Sequence, residues 1–131
     1  SEPQPKLLPP ECPEFLDTEA KKLWCKLAPE LYRLGILTMV DWPLLEGLCS
    51  AYSTWRSAYL FIQEWQADHN SVQTYKNERG DYKAIPQIAV ARDALNQFKS
   101  YACELGMTPI TRSKITAKKP PDNEEEAYFG Y

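Results

Sequence analysis

Apolar residues recur at helical spacing in three blocks of the chain. Leu23, Trp24, Leu27, Leu31 and Leu34 step by three and four and make one apolar face. Asp17 or Thr18 is placed to cap this first helix, and Glu19 falls in its first turn, where a negative charge suits the helix dipole. Pro29 is expected to kink or divide it, because proline has no amide hydrogen and clashes with the preceding turn. Gly35 is its expected left-handed terminator.

The second block starts near Thr38 or Asp41, with Pro43 tolerable in the first turn. It runs to about Asp68, on the order of 40 Å at ~1.5 Å per residue. Leu45, Leu48, Tyr52, Trp55, Tyr59, Ile62 and Gln66 alternate steps of three and four, a heptad-like seam. Residues 70–85 lose that period. Two short segments, Ser71–Lys76 and Tyr82–Ile85, flank Asn77-Glu-Arg-Gly-Asp81, which predicts a β-hairpin with Gly80 at positive φ. Arg79-Gly80-Asp81 reads as part of that turn.

Pro86 opens a third helix, and Ile88, Ala91, Leu95, Phe98, Ala102 and Leu105 repeat the seam. Two long helices with matching seams and a compact connection predict an antiparallel helical hairpin, with the first helix covering one side. Gly106 caps the third helix, and Met107 sits where a hydrophobic residue folds back on the last turn. Thr108 and Pro109 then begin a short fourth helix carrying Arg112 and Lys114. The expected fold is mainly α, comprising a long antiparallel hairpin, a kinked N-terminal helix, a short β-hairpin insertion and a short C-terminal helix.

Composition adds the boundaries. The chain has 131 residues, 44% hydrophobic and 25% charged, enough for one core. Seven of the 11 prolines lie near the ends. They suggest an extended arm over residues 1–13, a helical domain over 14–116 and an acidic, aromatic tail over 117–131. No apolar run reaches the roughly 18 residues of a membrane span, and no secretory signal pattern is visible.

Chemistry narrows the function. The four cysteines, Cys12, Cys25, Cys49 and Cys103, lack close spacing, and His69 is the sole histidine, so no metal site is expected. Cys49 and Cys103 fall on apolar helix faces, and all four cysteines are read as reduced thiols of a cytosolic protein. No Gly-rich phosphate loop and no nucleophile–base spacing occur, so neither catalysis nor a cofactor is expected.

The net charge of −3 argues against indiscriminate nucleic-acid binding, but residues 71–116 carry +3 ahead of a tail carrying −2. Lys21, Lys22 and Lys26 form one small basic group. Arg112, Lys114, Lys118 and Lys119 form another, and both are candidate phosphate contacts. Trp24, Trp42, Trp55, Trp65, Tyr52 and Tyr59 fall mostly at helical spacing and are read as core or subunit-contact residues. Base stacking is the alternative only for Trp24, beside Lys21 and Lys22. Trp42, Leu44, Phe61 and Trp65 lie off the main seam and are candidate contacts to another copy of the chain. Tyr128, Phe129 and Tyr131 are candidate anchors of the tail on a partner.

The order of these features resembles a known family. Pro9-Pro10, a Leu-rich helix with Trp24, Gly35-Ile-Leu-Thr38-x-x-Asp41, Cys49-x-x-Tyr52-x-x-Trp55, Gly80 ahead of Pro86, and Leu105-Gly106-Met-Thr108-Pro109-x-x-Arg112 follow one another. Over roughly residues 9–115 this is similar to the P27 family of phage terminase small subunits. The resemblance implies a non-enzymatic, helical subunit of a genome-packaging motor in the host cytoplasm. It further implies a homo-oligomeric ring that binds double-stranded viral DNA and hands it to a large subunit carrying the ATPase and nuclease. The alternative is a helical scaffold or adaptor that binds only proteins.

Overall fold

A computed structural model describes residues 10–38 and 41–107. In chain order these form α1 (Thr18–Arg33), α2 (Trp42–Asp68), β1 (Thr74–Lys76), β2 (Tyr82–Ala84) and α3 (Pro86–Glu104). The mainly helical expectation holds. The short C-terminal helix and its Thr108, Pro109 and Arg112 lie outside the described residues, as do most of the N-terminal arm and the whole tail.

Two of the helices end by the same device. After α1, Gly35 at φ 73° lets the Ile36 amide reach back to the Leu31 carbonyl at 2.9 Å and the Gly35 amide to Tyr32 at 3.0 Å. After α3, Gly106 at φ 73° does likewise. The Met107 amide donates to Ala102 at 2.8 Å and the Gly106 amide to Cys103 at 3.1 Å. Each pair of bonds satisfies carbonyls that the helix leaves open, and only glycine takes the required φ without steric cost. Ile36 and Met107 fold onto the core as the motif demands.

α2 exits differently. Asn70 and Ser71 adopt φ of 55° and 64°, and the Ser71 amide donates to the Gln66 carbonyl at 2.8 Å. At its start Asp41 is the N-cap residue but does not cap with its side chain. Its carboxylate instead accepts from the Thr38 hydroxyl at 2.7 Å and the Thr38 amide at 3.4 Å. Thr38 and Asp41 therefore brace the turn between α1 and α2.

Pro29 does not divide α1, which runs through it to Arg33. The residue is exposed, so its ring points away from the core. The β-hairpin pairs Thr74 with Ala84, Tyr75 with Lys83 and Lys76 with Tyr82. Its tip is pinned by one side chain: the Asn77 Oδ1 accepts from the Arg79 amide at 3.0 Å and the Asp81 amide at 2.9 Å. Gly80 supplies φ 88°.

The core gathers at one end. Leu16, Ala20, Trp24, Ala28 and Leu31 of the α1 region meet Leu45, Leu48 and Cys49 of α2, Ala102 of α3 and Leu105, which follows α3. Farther along α2 the buried residues are mostly small, Ala51, Ser53 and Ala58, until Ile62. The seam is thus partly corrected. Tyr52 and Trp55 are only half-buried and Tyr59 is exposed, while Cys49, Ala51 and Ala58 take the interior. Cys103, expected on an apolar face, is exposed. Tyr52 also touches Phe98 of α3, with ring centroids 6.1 Å apart.

Gly47 of α2 leaves room for Tyr101 of α3: a β-carbon there would collide with the Tyr101 ring. Alanine normally adds about 1 kcal/mol over glycine in a helix interior, whereas overpacking costs about 1–3 kcal/mol. Gly47→Ala is therefore expected to lower stability in chemical denaturation. In a Tyr101→Leu background the same substitution should become neutral or favourable. An equal gain in both backgrounds would show that the two helices do not meet this way.

Candidate nucleic-acid interface

The geometry of the first basic group depends on how α1 sits against α2. Asp17, just before α1, accepts the Ala20 amide at 3.0 Å, a standard N-cap that occupies one open donor of the first turn. The same carboxylate accepts the Ser53 hydroxyl of α2, with the oxygens 2.6 Å apart. Ser53 is buried, and this bond satisfies it. The hydroxyl first, then the amide, hold the Asp17 carboxyl below the ordinary carboxylate range.

With that start fixed, Glu19, Lys22, Leu23 and Lys26 fall on one face of α1, at helical spacing. Tyr52 and Arg56, one turn apart on α2, face them. These six residues line an open crevice of about 250 Å³. Inside it the Glu19 carboxylate meets Lys22 Nζ at 3.3 Å and Arg56 Nε at 3.3 Å. Lys26 makes no ion pair with any described residue. Two cations share the one carboxylate and Lys26 adds a third positive charge, so the crevice is net positive. Its ion pairs are solvent-exposed, and such pairs stabilise by only about 0–1 kcal/mol. They do not hold the helices together, and an incoming anion can replace Glu19 as a partner at little cost.

The basic group read from sequence is thus split and enlarged. Lys22 and Lys26 line the crevice. Lys21 lies on another side of α1, where its charge acts on the Cys12 thiol. Arg56 was missed, because nothing in the pattern of α2 places it opposite α1; the tertiary packing of the two helices, with its Asp17–Ser53 bond, does. Arg112, Lys114, Lys118 and Lys119 lie outside the described residues.

Trp24 is buried in the core, as its place on the apolar face of α1 predicts, and its indole Nε1 donates to the Pro10 carbonyl at 3.3 Å, which rules out the base-stacking alternative. Of the off-seam residues, Trp42 and Phe61 are 40% and 42% exposed. Leu44 packs against the core. Trp65 is half-buried and stacked on His69, with ring centroids 3.6 Å apart. Tyr128, Phe129 and Tyr131 lie outside the described residues.

Among the described residues no group of three or more His, Cys, Asp or Glu side chains is arranged to hold a metal ion. No helix among them is long and apolar enough to cross a membrane. Cys49 is fully buried, and desolvation pushes its thiol up to about 12, so it is a packing residue and not a nucleophile.

The described residues thus form three helices around a small core, with a net-positive crevice between α1 and α2. Residues 20–122 match the sequence model of the family described as phage terminase, small subunit. The chain belongs to that family, whose work is phage DNA packaging. No curated protein and no solved structure matches it.

Ser53→Ala is expected to lower stability at neutral pH by about 1 kcal/mol, the scale of one hydrogen bond to a partly solvated charge. Because the Asp17 carboxyl is depressed in the folded state, its contribution is present above the ordinary value of 3.8 and is lost as pH falls through the folded value. The stability gap between parent and variant should therefore narrow under acid. A gap independent of pH would mean that Ser53 acts by packing and not through Asp17.

Proposed function

We propose that this chain is the DNA-recognising, non-catalytic subunit of a phage packaging terminase, of the P27 type. It binds double-stranded viral DNA in the host cytoplasm and presents it to the large subunit. The observation that carries this reading is the crevice of Lys22, Lys26 and Arg56 in a chain belonging to the small-subunit family. Phosphate oxygens are its natural occupants. Lysine offers a point charge and arginine a fork of donors, and both are freed from Glu19 as the phosphate enters. A near-neutral monomer suffices if the chain assembles into a ring, since repeating the crevice around a circle builds a field that one copy lacks.

Self-assembly has its own support. Trp42 and Phe61 are large, apolar and wet in the isolated chain. Covering the part of each that remains exposed returns roughly 1 kcal/mol per side chain, a fraction of the value for full burial. The acidic, aromatic tail supplies the remaining contact, with Tyr128, Phe129 and Tyr131 as anchors on the large subunit. The adaptor alternative lacks a comparable observation, because it leaves the uncompensated cations without a role.

Two measurements test this. Affinity for a fluorescent duplex should fall steeply with salt, and Lys22→Ala, Lys26→Ala and Arg56→Ala together should reduce the logarithmic slope by roughly 2–3, near 0.9 per lost phosphate contact. A parent protein without salt-dependent duplex binding would favour the adaptor. An unchanged slope in the folded triple variant would remove the crevice from the interface. Light scattering of Trp42→Ser with Phe61→Ser should show a smaller assembly than the parent. A monomeric parent at about 50 µM, well above typical assembly constants, would contradict oligomerisation.

A further inference from the structure

The β-hairpin has no part in the core beyond its base, where Ile85 is buried and its amide donates to the Gln73 carbonyl at 3.0 Å. Two strands of three residues each are marginal by themselves. Yet this ribbon is ordered at its tip by the four hydrogen bonds that Asn77 organises: two to its side chain, and two joining its own backbone to Gly80 and Asp81. A preorganised projection with both faces wet is built to contact something.

Its surface chemistry is specific. Tyr82 is 71% exposed and Tyr75 39%. The register pairs Tyr75 with Lys83 on one face and Lys76 with Tyr82 on the other. Lys76 Nζ sits 5.9 Å from the Tyr82 ring centroid. Each face thus offers one ammonium and one aromatic ring. Between them the tip carries Glu78, Arg79 and Asp81, and Lys76, Arg79 and Lys83 make no ion pair with any described residue.

We propose that this hairpin enters the major groove of duplex DNA and reads sequence there. The inference rests on the DNA-binding reading above and adds a second contact, distinct from the crevice. A β-ribbon with its side chains is about 10 Å thick, and the major groove is about 12 Å wide. A ribbon inserted tip-first meets a sugar–phosphate wall on each side, which accounts for a Lys–Tyr pair on both faces. The mixed charge of the tip then has a use. Arg79 presents donors to guanine O6 and N7, while Glu78 and Asp81 can accept from cytosine N4, the pairings that distinguish bases in that groove. Along α2 the hairpin begins about 20 Å from Arg56, at ~1.5 Å per residue. Crevice and hairpin would thus grip phosphates and bases at separate points of one duplex.

The test uses duplexes selected from a random pool by the full-length parent. Lys76→Ala with Lys83→Ala should weaken binding to selected and random duplexes alike and lower the salt slope by about 2. Arg79→Ala should leave the shared phosphate-driven affinity nearly intact but reduce the preference for selected over random duplex by about 10-fold. A parent that binds duplex but enriches no sequence overturns the inference, as does an Arg79→Ala variant with full preference. Loss of large-subunit capture with unchanged DNA binding would assign the hairpin to a protein partner and also overturn it. If the parent binds no duplex, the underlying DNA reading fails first. Retention of DNA binding by the hairpin variants alongside its loss in the crevice variants would sink only this inference.

Discussion

The Asp17 carboxylate accepts from two helices at once, the Ala20 amide of α1 and the Ser53 hydroxyl of α2. This one group sets where α1 begins and at what register it meets α2. Trp24, Ala28 and Leu31 then reach the core on one side of α1. On the adjoining side Lys22 and Lys26 come opposite Arg56. A hydrogen bond to an ionised acceptor is directional in a way that apolar packing is not. Hydrophobic burial supplies most of the stability, and Asp17 with Ser53 selects the register in which it is realised.

The molecule divides its length between stability and contact. Nearly all the large buried side chains lie at the end where α1, the start of α2 and the end of α3 converge. Toward the hairpin the interior thins to small residues. The aromatic rings of Tyr52, Trp55 and Tyr59 form a half-wet ladder along α2, with the last two stacked 5.7 Å apart. A segment with few buried apolar contacts opens at lower free energy than the core. Phe61 and the hairpin, two of the candidate contact surfaces, occur on this lightly packed portion, where adjustment to a partner least disturbs the fold, whereas Trp42 and the crevice lie nearer the core.

Much of the fold was legible because it is encoded locally. Gly35 and Gly106 announce their helix ends through a conformation that other residues resist, and Asn77 with Gly80 announces the hairpin turn. Pro43 and Pro86 mark helix starts for the same kind of reason. What failed to show was tertiary. Trp24 was legible as part of the apolar face of α1, but not its partner, the Pro10 carbonyl 14 residues earlier. Asp41 has the composition of a capping residue, yet Thr38 is the nearer partner and wins its carboxylate. Cys103 follows the apolar period, but α1 covers only one side of the α2–α3 pair and leaves it exposed. Half of the crevice was readable as a lysine group on α1. Arg56 was not, since its role comes from a contact between residues far apart in the chain.

In the proposed function α1 and α2 together form a phosphate-binding crevice, and its internal partner, Glu19, is displaced on binding. Arginine side-chain NMR observes this directly through the Arg56 Nε–H, which lies 3.3 Å from Glu19 in the free protein. Titration with a duplex should move that resonance to a saturating, salt-sensitive bound position, with the Glu19 carboxyl shifting in step as it loses its partner. Saturation by DNA with both signals unmoved would contradict the claim.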